Sequence, residues 1–330
     1  MSPIALIIKR EVLVKIRSKA YVIGTLAMAL VGAGLCWVFK LVGSNLSGLD
    51  MGMADSASQA ANEVLAKYGL TEAEFTQMVA QRTAEIQAES GGMDFVFNGP
   101  GYAIGLVTCV ILMITIIQTG TSIAMGVVEE KSSRVVEILL ASLRPRQLMA
   151  GKVLGIGLMG LVQVIVIVAA TGISAYATGM TDFLFNSGVD LTSAIIWAVV
   201  WFIVGYFSFA CLFAAVGSMV AKPEEVHNAA GPLVIIIMLG YFSAIYLTVG
   251  APSLGGGFSM LAEIIKYVPL VNVLAMSSGL AAGTVSNVDG FIALGISLVF
   301  IPLLIWLGGK IYSYSILQTG SKVKLLKVFR

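Results

Sequence analysis

The sequence predicts an all-α integral membrane protein with six transmembrane helices, and three observations lead there. Of 330 residues, 58% are hydrophobic and 12% charged, with a mean hydropathy of +0.95; that charged share is about half of what a soluble domain carries. Six apolar runs, 21–42, 102–125, 153–177, 195–220, 229–249 and 291–313, are each long enough to cross a hydrocarbon core of roughly 30 Å at 1.5 Å per residue. The runs are continuously apolar and lack the alternation of a lipid-facing barrel strand, so only helices satisfy their backbone groups in lipid.

Residues 1–19 form the first element. Helix formers alternate with Lys9, Arg10, Glu11, Lys15, Arg17 and Lys19 around most of the wheel. Two readings stay open: an interfacial helix at the inner surface whose long basic side chains snorkel, or an undefined lead-in. The first span, 20–43, reads as a retained helix and not a cleaved signal, since its basic lead is long, contains an acid and precedes an apolar stretch longer than a signal core.

The stretch 44–99 is the only sizeable polar insertion. Residues 57–68 read as a helix stopped by Gly69, and Thr71-Glu72-Ala73-Glu74 supplies a capping box for a second helix reaching to about Glu89. Such a hairpin has little core of its own.

Residues 100–316 hold spans two to six. Pro252 to Asp289 is too apolar for a solvated loop and its pieces are too short to cross. Broken by Pro269, it reads as a re-entrant helical pair over 252–289 or as two helices lying flat on the outer surface; Glu263 and Lys266 are spaced to pair. A basic tail, 317–330, closes the chain.

Positive charge orients the six spans. Lys9, Arg10, Lys15, Arg17 and Lys19, then Lys131, Arg134, Arg144, Arg146 and Lys152, then Lys222, and finally Lys310, Lys322, Lys324, Lys327 and Arg330 fall on one side, against Lys40, Lys67, Arg82 and Lys266 on the other. Both termini are expected in the cytoplasm, with the insertion outside. The net charge of +2 hides this asymmetry and gives no reason to expect nucleic acid as a partner.

Several chemistries find no support. No Gly-x-x-x-x-Gly-Lys-Ser/Thr phosphate loop, His-Glu-x-x-His or Gly-x-Ser-x-Gly motif is present. The one histidine, His227, reads as a loop residue beside Glu224 and Glu225. Cys36, Cys109 and Cys211 sit in apolar runs without metal-ligand spacing. No acid or base lies near a span centre, where ion-driven carriers retain one.

Two constellations remain. On the second span Thr108, Thr115, Gln118, Thr119 and Ser122 fall within a sector of about 100°, extended by Glu129 if the helix continues inward, with Gln163 a similar position on the third span. The seam serves interhelical hydrogen bonding or lines a transport path. Beyond it, Glu129-Glu130-Lys131-Ser132-Ser133-Arg134 begins a short amphipathic helix over 127–142. Glu130, Arg134 and Glu137 share one face, Val135, Val136, Leu139 and Leu140 the other, so one side meets the membrane domain and the other water or a partner. Pro145 suits the first turn of the next helix.

The run from Gly126 through Glu129-Glu130-Lys131 to Ser142, followed by Arg144-Pro145-Arg146-Gln147-Leu148 and Gly151-Lys152, resembles the type-2 family of ABC transporter permeases, most closely the sodium-efflux-pump permease branch. Lys222-Pro223-Glu224-Glu225 with Ala230-Gly231-Pro232-Leu233, and Tyr267-Val268-Pro269 with Gly283-Thr284-Val285-Ser286, extend the resemblance over most of the chain. It implies a non-catalytic permease subunit of an ATP-driven exporter in a prokaryotic cytoplasmic membrane. Two permeases, identical or homologous, would sit on separate ABC ATPase subunits that bind the ATP and magnesium; this chain binds no cofactor. The segment 127–142 becomes a coupling helix touching the ATPase through Glu129, Glu130, Arg134 and Glu137, with Glu224 and Glu225 as a smaller contact. The transport path would use Thr115, Gln118, Thr119, Ser122 and Gln163. The outer insertion is shorter than the folded domain usual in that branch, so the implied cargo is sodium or an amphipathic drug, peptide or lipid. The rival reading is an ATP-independent channel or secondary carrier.

Overall fold

The computed structural model describes residues 3–38, 40–41, 99–132, 145–179, 190–249 and 264–316, with positions 71, 77–78, 81 and 181. The insertion's two helices, most of the segment 127–142, Glu263 and the basic tail lie outside the described residues. Among those described there is no strand.

Among the described residues six helices are long and apolar enough to cross a membrane: α2 (Lys19–Val38), α3 (Gly99–Ser132), α4 (Pro145–Ala177), α5 (Leu191–Met219), α6 (Val226–Val249) and α8 (Asn287–Ser315). Two shorter ones join them, α1 (Pro3–Arg17) before the first span and α7 (Asn272–Ala282) before the last. Pro145 opens α4. The Asp190 carboxylate accepts from the Thr192 and Ser193 N–H groups at 3.0 and 3.2 Å and caps α5. Ser286 caps α8 by accepting from the Asp289 N–H. Between α5 and α6 the chain turns through Pro223–Glu225, a single tight turn. Gly283, at φ 74°, ends α7 in the left-handed conformation while the N–H groups of Gly283 and Thr284 return to Leu280 and Gly279 carbonyls.

The core is centred on α5, where Trp201, Phe202, Phe209 and Phe213 are almost fully enclosed. It packs against α3 and α8 at near-backbone distance. A Cβ on Gly217 would stand 2.5 Å from the Ala124 carbonyl oxygen, and one on Gly308 2.7 Å from that of Cys211. Small residues are what permit such crossings in lipid, where association relies on close packing. Large apolar side chains such as Leu30, Ile173, Phe291 and Val299 point outward and are more than half exposed, the pattern expected of a lipid-facing shell. The three cysteines are buried and free.

Residues Asn272 to Ala281 of α7 are all buried, and the helix packs on α3, α5 and α6. A helix lying on the bundle's surface would keep one side exposed, so this segment sits among the other helices. Its polar groups are answered there: Ser278 donates to the Gly105 carbonyl at 2.9 Å and lies 2.7 Å from the Thr248 hydroxyl, while the Asn272 amide donates to Ser297.

Gly217→Ala is expected to destabilise the purified protein by about 1–3 kcal/mol, because the α3 backbone must give way. Gly172→Ala, with nothing within 4 Å of its Cβ position, is expected to stay within about 0.5 kcal/mol of the parent. Thermal unfolding of the two in one detergent measures the difference.

Candidate functional site: the second span near Ser132

The helix expected to begin near residue 127 is not separate there. α3 runs unbroken to Ser132, the last residue described there, so Glu129, Glu130 and Lys131 continue its turns and, at about 100° apart, point in three directions. Glu129 is exposed, whereas Glu130 and Lys131 are buried. This corrects the expected solvent- or partner-facing position of Glu130. Arg134 and Glu137 lie outside the described residues.

Glu130 turns toward α1 and α4. Its Oε1 is 3.1 Å from the Lys152 ammonium and 3.2 Å from the Arg10 guanidinium, and the same ammonium donates to Glu11 Oε1 at 3.2 Å. The Lys152 side chain is 3% exposed and the two carboxylates 9% or less, while Arg10 is half exposed. Two acids and two bases give a cluster of zero net charge, the condition under which ionised groups tolerate burial. Glycines make the room. A Cβ on Gly126 would sit 2.9 Å from Lys152 Nζ, and Gly151 and Gly155 on α4 receive Ile7 and Glu11 of α1.

Lys131 turns the other way, donating from Nζ to the Ser218 carbonyl at 2.6 Å and the Ser315 carbonyl at 3.0 Å. Both belong to the last turns of α5 and α8, where free carbonyls and the helix dipole favour a cation. One turn of α3 thus contacts four other helices, α5 and α8 at their ends. The Pro223–Glu225 turn also contacts α3, with Glu224 exposed and Glu225 half buried.

The polar seam divides. Thr115 and Thr119 are buried, and their hydroxyls donate back to the Ile111 and Thr115 carbonyls at 2.7 Å each. Gln118 instead accepts from the Gln163 amide at 2.7 Å, which is also 3.3 Å from Met28 Sδ on α2. Gln118 and Ser122 line a cleft of about 930 Å³ between α1, α2, α3 and α4. It runs from Arg10, Lys15 and Glu129 to an apolar wall that includes Met28, Ile114, Ile117 and Met125, with exposed His227 at its edge. A pocket of about 110 Å³ adjoins it and reaches Thr119 and Gln163; Thr115 lines neither. Burial lowers the pKa of Lys15; Glu11 and Glu129 oppose that shift, and Lys152 adds to it.

Sequence reading passed over Arg10, Glu11 and Lys152 as a site. The signals available were a lone acid in a basic lead and a lysine among the glycines of an otherwise apolar helix.

Fold and site define a multi-pass helical membrane protein with a charged knot opening into an amphipathic cleft. The family model described as ABC-2 family transporter protein matches residues 40–310, and the chain belongs to that family. It is similar to the uncharacterized protein YhaP of Bacillus subtilis, at 31% identity over 67% of this chain and 53% of the relative. It is also similar to the uncharacterized protein MJ1024 of Methanocaldococcus jannaschii, at 24% identity over 63% and 48%. The chain spans about half the length of these curated relatives. No solved structure gives a significant match.

Lys152→Met is expected to destabilise by about 3–5 kcal/mol, since it strands two buried carboxylates. Glu130→Gln leaves Lys152 paired with Glu11 and is expected to cost about 1–3 kcal/mol. Denaturant titration in mixed micelles checks the order; equal losses would contradict Lys152 as the centre of the cluster.

Proposed function

We propose that this chain is the membrane permease subunit of an ATP-driven exporter, working with a second permease copy or a homologue and powered by separate cytoplasmic ATPase subunits that carry the ATP and magnesium. Membership of the ABC-2 transporter family supports the class. The observation that carries the reading is the turn of α3 at Glu129–Lys131, where exposed Glu129 directly precedes two charged side chains tied into four other helices. A push at that turn reaches α1, α4, α5 and α8 through direct side-chain contacts. Glu224 and Glu225 form a secondary contact on the same end of the bundle.

In this reading both termini face the cytoplasm of a prokaryotic cell, α7 enters the bundle from outside as part of a re-entrant pair, and cargo passes by Gln118, Ser122 and Gln163. The mixed polar and apolar lining of the cleft favours an amphipathic cargo over a sodium ion.

Affinity purification from native membranes is expected to recover an ABC ATPase, and Glu129→Lys or Arg134→Glu to reduce that recovery several-fold without loss of membrane insertion. Cysteines placed at Ser56 and Ser132 should label from opposite sides. Sustained uphill transport by the chain alone in liposomes would overturn the reading.

A further inference from the structure

We infer that the cleft between α1, α2, α3 and α4 binds an anionic amphiphile, a carboxylate, phosphate or sulfate head on an alkyl tail, with Lys15 as the head-group cation. The inference rests on the permease reading for its purpose, since it names the class of cargo, but not for its geometry.

The charges around the cleft are not equivalent. Lys152 is held between Glu11 and Glu130, and Arg10 is held on Glu130. Those four groups neutralise one another. Glu129 lines the exposed rim and acts on Lys15 through space. Lys15 is different: half buried, it lines both the large cleft and the smaller pocket, and among the described residues no carboxylate reaches ion-pairing distance of it. Its nearest acids act only through space while burial strips its water, which disfavours the charged form. An anion arriving in the cleft restores what burial removes.

Neighbouring groups suit an anion as well. Ser18 lines both cavities beside Lys15, and its Oγ accepts from the Tyr21 N–H at 3.4 Å, which leaves the hydroxyl hydrogen to donate. From that polar corner the wall continues as Met28, Ile114, Ile117 and Met125, flexible or branched side chains without charge. A single alkyl chain fits this surface, and a cleft of about 930 Å³ lies within the roughly 300–1,000 Å³ typical of small-molecule sites. A cationic head would meet Lys15 unfavourably and find Glu11 and Glu130 already engaged.

The test uses the purified chain, without ATPase or ATP, in phosphatidylcholine nanodiscs. A cysteine introduced by Ser122→Cys reports occupancy through its maleimide labelling rate; the native cysteines are buried. Dodecyl phosphate is expected to slow labelling, whereas dodecyltrimethylammonium and dodecyl maltoside should not. Lys15→Gln should raise the dodecyl phosphate concentration required by about tenfold, as expected when a charge-assisted hydrogen bond is lost, and Lys15→Arg should restore it. Lys15→Glu should transfer protection to the cationic detergent. Nanodiscs containing phosphatidylglycerol separate the sources: protection without added dodecyl phosphate identifies a resident membrane lipid as the anion, and its absence a diffusible amphiphile. Equal protection by all three detergents, protection by the cation alone, or no effect of Lys15→Gln would overturn the inference. None of these results touches ATPase association, so the permease reading stands or falls separately.

Discussion

The arrangement depends on one buried ammonium. Lys152 lies among apolar residues near the start of the third span, where an unpaired cation is costly, and it is tolerated because Glu11 and Glu130 approach from two other helices. Buried ion pairs add little net stability over a hydrophobic replacement, but removing one partner is expensive. The contribution of this cluster is therefore geometric. The N-terminal helix and the second and third spans meet in the register that brings three charged side chains, with Arg10 as a fourth at the edge, into mutual reach. Gly126, Gly151 and Gly155 are small where the side chains and α1 need the space.

Lys131 extends the same logic to the opposite side of α3. Its ammonium fills the place where the α5 and α8 carbonyls would otherwise lack donors. Adjacent residues of opposite charge thus anchor one helix end to two groups of partners, and the exposed Glu129 completes the turn. These contacts are short and desolvated, and the amphipathic cleft begins at the same knot.

Much of the fold was legible in the sequence because lipid imposes strong length and polarity rules. All six spans were located within a few residues, with larger shifts at helix ends such as that of the second span near Ser132, and α7 follows the break at Pro269. The site was less legible. Charge spacing at Glu130 matched an i, i+4 surface pair, but Glu130 is buried against residues far away in sequence, and local periodicity carries no information about that competition. Thr115 lies away from both cavities and Thr119 lines only the smaller one, and the hydroxyls of both bond back to their own helix. Gln118 and Gln163 have no such local option, and they found one another. Lys15 belonged to a snorkelling set by composition, and only the packing of α1 distinguishes it from Lys9 or Arg17.

Amide hydrogen exchange over α1 tests the central claim, that buried charge docks the N-terminal helix onto the membrane bundle. In nanodiscs, residues 3–17 are expected to exchange slowly in the parent chain, and Glu11→Gln to accelerate them selectively while α5 stays protected. Fast exchange of α1 in the parent, or unchanged exchange in the variant, would contradict the account.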